Sequence, residues 1–486
     1  MKKIHLLVLL FSPLLLIGQT QKISLKEAIK SAQERSPDYK ANLHRNEASY
    51  WRNRNYRASF LPQFRLNATL PAYSNSIQRI TNDEGQDIFV DQNQARIDAR
   101  LFISQNIGFT GGNLSINSQI ERVNIFGEYP SKGYSIVPFS INYFQNSLTY
   151  NPYKWDRKIE PLVFEESKRD FIESMEQISL KTCLLYFSLL KSQIQLEISK
   201  NNSSNLDTLF QITKGRYRMG KIAENDLLQM ELRLLNSKNE ITTNTILLKK
   251  ASQDLSRYLE LTNEDFELEI PETLIQFEVS TEKAILEAKS NRKFVIEYRR
   301  RRLESEKELA RVKGENGLKI NLNANFGISQ HGPELNDLFQ NFDQQQNLTL
   351  TLGVPIFDWG VSKSKRRLAK ANLDLLITNL DQENQAFEQE IYLHTLNWAN
   401  QRSFLATTEK AQIIASKRYE IAKKRYVLGK ISITDLNLAQ EEKDKSVVNY
   451  LNSLGNFWVD YYTLRRLTLY DFVNDKKIEA QDIIYE

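Results

Sequence analysis

Arg216-Tyr217-Arg218-Met219-Gly220-Lys221-Ile222-Ala223-Glu224-Asn225-Asp226-Leu227 recurs 209 residues later as Arg425-Tyr426-Val427-Leu428-Gly429-Lys430-Ile431-Ser432-Ile433-Thr434-Asp435-Leu436. Seven of the twelve positions are identical. A glycine supplies the left-handed residue that closes a helix, and an aspartate in the first turn of the next helix suits its dipole. Each copy therefore reads as the tip of a helical hairpin. A repeat of the whole constellation points to a duplicated architecture.

The flanks support long helices. No glycine or proline interrupts 162–214 or 361–428, and a continuous helix of 68 residues would run roughly 100 Å. Apolar residues step by threes and fours through Phe164, Phe171, Met175, Ile178, Leu185, Leu189 and Leu196. Val447, Leu451, Leu454, Trp458 and Tyr461 do the same near the end. Such spacing calls for coiled-coil packing. Across the 486 residues only 17 are glycine and 11 proline, which fits a chain with few helix breakers.

Between the helices the period changes to two. Leu318, Ile320, Leu322, Ala324, Phe326 and Ile328 alternate with Lys319, Asn321, Asn323, Asn325 and Gly327. Leu348, Leu350, Leu352, Val354 and Ile356 alternate with Thr349, Thr351, Gly353 and Pro355, and Phe357 and Trp359 follow as interfacial aromatics would. In the first half Phe64, Leu66, Ala68 and Leu70 alternate with Gln63, Arg65, Asn67 and Thr69. A returning strand is expected over 139–150, followed by Tyr150, Tyr153 and Trp155. Strands of about ten residues with one apolar and one polar face suit a transmembrane barrel. Four such strands per chain cannot close alone, and an open edge is not tolerated in lipid, so closure requires several copies; three would give twelve strands. A longer segment, Pro71 to Pro138, holds Ile97 to Ile103, then Thr110-Gly111-Gly112, then Leu114 and Ile116. It reads as an extra hairpin, expected outside the membrane at the outer mouth, with additional barrel strands as the other reading.

Lys2-Lys3 followed by the apolar run Leu6 to Ile17 reads as a secretory signal ending near residue 19. The alternative, a membrane anchor, would need a longer apolar run than this one, which Pro13 interrupts. The balance of charge is +5, too small to point to nucleic acid. Cys183 is the only cysteine, which rules out a disulfide framework or a cysteine-rich metal site and reads as a buried small hydrophobe. His5, His44, His331 and His394 have no His or Cys at metal-ligand spacing. No nucleophile elbow or phosphate loop occurs. No enzyme activity and no cofactor are expected.

These residues resemble the TolC-like outer-membrane efflux protein family across essentially the whole mature chain. The resemblance is carried by the duplicated Arg-Tyr-x-x-Gly-Lys-Ile-x-x-x-Asp-Leu tips, by Phe60-Leu61-Pro62 ahead of the first strand, and by Val354-Pro355-Ile356-Phe357-Asp358-Trp359-Gly360. It implies an α+β membrane protein whose long coiled-coil helices form an α-barrel beneath a shared transmembrane β-barrel, four strands per protomer in a homotrimer, built from two internal structural repeats. The expected domains are a signal peptide (1–19), a first repeat (20–260: a helix, the β-hairpin region 60–150, and a helical hairpin with its tip near 220), a second repeat (261–470: a helix, the β-hairpin 317–357, and a helical hairpin with its tip near 429) and a C-terminal tail (471–486). The implied function is the exit duct of a tripartite efflux or type I secretion system in the bacterial outer membrane, with the helical barrel in the periplasm. The implied partners are a periplasmic adaptor, an inner-membrane pump of ABC, RND or MFS type, and outer-membrane lipid.

By the same resemblance, Tyr217, Met219, Gly220, Lys221, Leu428, Gly429 and Lys430 match the adaptor-docking tips. Asp435 matches a gate aspartate, and Tyr426 a gate tyrosine that can bond across to the first hairpin, where Asp226 is the matching partner. Three Asp435 carboxylates around an axis would raise one another's pKa values. Asp226 and Asp435 read otherwise as helix caps alone. Leu438 and Ile431 stand where some relatives have a further aspartate and a basic residue, so the constriction is expected to be less charged. The rival reading is a secreted coiled-coil structural or adaptor protein with a soluble strand domain.

Overall fold

A computed structural model describes residues 22–81, 84–127, 130–262, 266–273 and 277–479. The expected signal peptide and the last residues of the expected tail lie outside the described residues. In chain order the elements are β1 (Lys22–Ile23), α1 (Leu25–Arg35), α2 (Pro37–Ala58), β2 (Gln63–Thr81), β3 (Asp87–Ile107), β4 (Gly112–Phe126), β5 (Ser131–Gln145), α3 (Pro152–Arg218) and α4 (Glu224–Leu259). Then follow β6 (Glu267–Leu268), α5 (Thr281–Asn291), α6 (Lys293–Glu315), β7 (Lys319–Gly332), β8 (Asp343–Gly353), α7 (Val361–Val427), α8 (Ile433–Thr468), β9 (Tyr470–Asp471) and β10 (Lys476–Lys477).

Helix lengths pair across the two halves: 11 residues for α1 and α5, 22 and 23 for α2 and α6, 67 for α3 and α7, and 36 for α4 and α8. The start of α1 is set by a capping box, in which Ser24 accepts from the Glu27 amide while Glu27 reaches back to the Ser24 amide. α5 starts on Ser280 in a similar way. Pro161 lies inside α3 without ending it.

The described residues fall into two compact units, one of 22–44, 171–292 and 388–479, the other of 45–170 and 293–387. The first is helical, with cores along its packed helices. Phe171, Ile178, Leu189 and Leu196 of the stepped run are buried there, as are Leu451, Leu454 and Tyr461. Cys183 is fully buried in this core, and burial pushes its thiol pKa up. An ionic cluster closes one end of α8. Arg465 donates twice to Glu176 at 2.9 Å and lies 3.0 Å from Asp471.

The second unit holds one sheet of six strands, all antiparallel, in the order β2-β3-β4-β5-β7-β8. The sheet thus has six strands where four were expected. Residues 87–126, expected as an extra hairpin or as additional strands, are two further strands inside the sheet, between β2 and β5. The reason lies in two prolines. Strand β2 passes Pro71 through a register shift between Thr69 and Ala72, and β5 passes Pro138 through one between Ile136 and Phe139. A proline donates no ladder hydrogen bond, and a bulge leaves that position unpaired. The strands therefore continue where the sequence alone suggests that they end.

Candidate functional site: the hairpin tips and the six-stranded sheet

Both tips close by the same hydrogen bonds. In the first, Gly220 donates to the Tyr217 carbonyl (2.8 Å) and Lys221 to that of Arg216 (3.0 Å). In the second, Gly429 donates to Tyr426 (2.8 Å) and Lys430 to Arg425 (2.9 Å). These pairs form a Schellman closure, which needs a left-handed residue. Gly220 and Gly429 supply it at φ 69° and 73°.

Beneath the tips an apolar cluster packs α3, α4, α7 and α8 together, with Leu209, Met230, Tyr426 and Leu436 among its buried members. Tyr426 is buried there, and its hydroxyl lies 2.9 Å from Thr213 Oγ1. Thr213 spends its own proton on the Leu209 carbonyl (2.7 Å), so the tyrosine is the donor between the two. Arg216 donates to the carbonyls of Tyr426 (3.1 Å) and Val427 (2.6 Å), with its guanidinium 5.4 Å from the Tyr426 ring. Both carbonyls belong to the last turn of α7, where helical partners are missing and a cation is favourable. An arginine of the first hairpin thus caps a helix of the second.

The candidate gate residues are placed differently from one another. The partner of Tyr426 in the first hairpin is Thr213, with Arg216 beside it, rather than Asp226. Asp226 sits in the first turn of α4 and shares with Tyr426 the wall of a cleft of about 350 Å³, together with Lys221 and Ile431. Asp435 occupies the first turn of α8, where it forms a capping box with Ser432. The Ser432 hydroxyl and then its amide hold the carboxyl below the usual carboxylate range. Tyr217, Met219, Lys221, Leu428 and Lys430 are exposed around the two glycines. Ile431 packs on the tip cluster, and Leu438 is exposed. Thr213 is not singled out by the sequence, and Arg216 is given no role by it. Arg216 lies within the quoted repeat, and its matching Arg425 could have marked it.

In the second unit each strand has one apolar and one polar face, kept in register across the sheet. Leu66 pairs with Leu101, Ile103 with Ile116, Ile116 with Ile141, Ile141 with Phe326, and Leu322 with Leu350. Many of these apolar side chains are exposed, among them Leu66 (71%) and Leu348 (75%) on the outermost strands. The opposite face pairs Asn67 with Arg100, Arg100 with Gln119, Asp98 with Glu121 and Asn142 with Asn325. No helix among the described residues is long and apolar enough to cross a membrane.

Residues 285–468 match the family model described as outer membrane efflux protein. No curated protein sequence matches the chain. Among solved structures, the chain is similar to the CmeC outer membrane channel of Campylobacter jejuni, with TM-score 0.67, 15% identity, and 94% of this chain and 87% of that one covered. It is similar also to the outer membrane protein VceC of Vibrio cholerae (TM-score 0.62, 13% identity, 92% and 95% covered). The open state of the MtrE outer membrane channel of Neisseria gonorrhoeae gives TM-score 0.58 at 14% identity, covering 94% and 91%. Residues 285–468 are therefore similar to the outer membrane efflux proteins, and the chain as a whole has the fold of these outer-membrane channels.

Proposed function

We propose that the protein is the passive exit duct of a tripartite efflux or type I secretion system in the bacterial outer membrane. Supporting this reading above all is the sheet of the second unit: a continuous apolar face, exposed, backed by a polar one. Water disfavours an exposed apolar face of that extent, whereas lipid accepts it. Strands β2 and β8 each have an edge with no strand beside it among the described residues, and lipid does not tolerate open edges. Copies of the chain close the sheet edge to edge, in a homotrimer. The paired helix lengths of the two halves support a duplicated build, whose long helices line the periplasmic part of the duct. No step of transport is driven by this chain. An inner-membrane pump supplies the energy, and a periplasmic adaptor docks at the exposed tips around Gly220 and Gly429.

Closure of the duct falls to the contacts beneath the tips. Tyr426 and Arg216 tie the second hairpin to the first, and Asp226 and Asp435 lie at the constriction, with Asp435 held by its cap. The rival reading, a secreted coiled-coil adaptor, leaves the apolar sheet face in water. Dye retention tests the proposal, in cells lacking the protein and in cells supplied with wild-type or Gly220→Val/Gly429→Val protein, alongside the polypeptides that each strain secretes. The expected result is raised retention, or a lost secreted polypeptide, without the protein. Wild type restores export, and the double variant does not although it still forms trimers. Export that is indifferent to the protein sinks the proposal, and export restored by the double variant removes the docking assignment.

A further inference from the structure

Every protomer contributes three hairpins to the membrane, we infer, so that a trimer closes a barrel of eighteen strands rather than twelve. The inference rests on the outer-membrane reading above and concerns residues 87–126. Four observations carry it.

Strands β3 and β4 are paired without a register break from Asn93↔Phe126 to Ile107↔Gly112. They lie between β2 and β5, hydrogen-bonded on both sides, with no crossover in the sheet. A hairpin standing outside a four-stranded sheet would leave β2 and β5 paired to each other.

The faces of the hairpin agree with those of its neighbours. Ile97, Ala99, Leu101 and Ile103 of β3 and Leu114, Ile116 and Ile120 of β4 fall on the apolar face, in register with Leu66 and Ala68 on one side and Ile141 on the other. The polar face carries an ionic cluster in which Arg96 lies 3.1 Å from Asp98 and 3.5 Å from Glu121. Such a cluster is expensive against lipid and suits a watered lumen.

The turn between β3 and β4 is tethered where α2 ends and α3 begins. Asn151 donates to the carbonyls of Gly108 (3.1 Å) and Phe109 (3.0 Å), Asn106 to that of Ser59 (3.0 Å), and Gln105 to that of Phe60 (3.1 Å). The hairpin is thus fixed at the same end as the strand-to-helix junctions and is no flap at the far end.

The upper border of the apolar band is also shared. Arg122 of β4 lies over the Tyr134 ring of β5, a cation and an aromatic such as border a bilayer. With strands about 4.8 Å apart and tilted about 40°, twelve strands give a barrel about 24 Å across and eighteen about 36 Å. Barrels of sixteen to eighteen strands hold an open aqueous channel, so the outer-membrane part of this duct admits bulkier cargo than a twelve-stranded one.

Single cysteines in a Cys183→Ala background test the count, in outer-membrane vesicles from cells expressing the full chain. Leu101→Cys and Ile116→Cys probe the lipid side of the hairpin, and Gln119→Cys the lumen. Leu66→Cys and Leu350→Cys are controls that face lipid whichever count holds. The expected result is that a membrane-dissolved maleimide labels the first two and both controls, while a water-soluble maleimide labels only Gln119→Cys. Water-soluble labelling of Leu101→Cys and Ile116→Cys with protected controls overturns the eighteen-stranded barrel and leaves the duct standing. Water-soluble labelling of the controls as well overturns the membrane reading itself. Electron cryomicroscopy of the trimer in nanodiscs counts strands independently; eighteen supports the inference and twelve refutes it.

Discussion

In the proposed duct, Arg216→Ala should loosen the closed state. The side chain makes two charge-assisted hydrogen bonds to the last turn of α7, at 3.1 and 2.6 Å, and stacks on Tyr426. Hydrogen bonds to charged groups contribute about 1.5–3 kcal/mol each. The guanidinium is half-exposed, which reduces that figure, and Tyr426 keeps its own bond to Thr213. A net loss of about 2 kcal/mol per protomer is the expected magnitude. Since every 1.4 kcal/mol is tenfold, the ratio of open to closed hairpins should rise roughly 30-fold. Arg216→Lys, which cannot fork to both carbonyls, should fall between. Single-channel recording of the proposed trimer in planar bilayers reads the change as longer and more frequent open periods. Arg218→Ala, an exposed charge of the same tip, is the control. If Arg216→Ala conducts like that control, the cross-hairpin cap does not hold the duct shut.

Four further outcomes are expected. Tyr426→Phe removes the donor to Thr213 and should cost about 1 kcal/mol; because it shares Tyr426 with the arginine contacts, its effect on open probability should add to that of Arg216→Ala incompletely. Glu176→Gln removes one of the two carboxylates beside Arg465, leaving Asp471, and should destabilise the helical unit by about 1–3 kcal/mol, seen as a lower unfolding temperature. The Asp435 cap depends on pH. Its folded pKa is depressed below 3.8, so its contribution is complete above the unfolded value and disappears as pH falls through the folded one. The protection of the first-turn amides of α8 against hydrogen exchange, relative to the intrinsic rate at each pH, should therefore stay constant from neutral pH to about pH 5 and fall only below it. A fall between about pH 7 and pH 5 would show mutual repulsion of the carboxylates around the axis outweighing Ser432. Gly220→Ala, where an added Cβ meets open space but φ is 69°, should cost about 1–2 kcal/mol from backbone strain alone, measured as a lower unfolding temperature.

The tips were the most legible part of the sequence. Left-handed glycine and a first-turn carboxylate are local requirements, and the twofold repeat shows them twice. The long helices were legible from missing breakers, although Pro161 shows that a helix can pass one. Their buried stripe was read correctly at Phe171, Ile178, Leu189 and Leu196. The strands were only partly legible, because period two survives in the sequence of β7 and β8 while bulges at Pro71 and Pro138 shift the alternation in β2 and β5. The polar face of β3, with Arg96, Asp98 and Arg100, resembles surface until its partner Glu121 is in place. That the opening helix of each repeat is split, α1 before α2 and α5 before α6, is not legible in the sequence despite the Ser24–Glu27 box. At the tip, the partner of Tyr426 depends on how two helices meet. No spacing along the chain says that Thr213 rather than Asp226 faces it.

The central claim, that copies of this chain close a common barrel in the outer membrane, is tested most directly by the protein mass of the detergent-extracted mature chain. Light scattering corrected for bound detergent gives that mass. The account predicts three chains, just under three times the 56.7 kDa of the full sequence, in a particle that resists mild denaturant. A monomer, or release from the membrane into buffer without detergent, would contradict it.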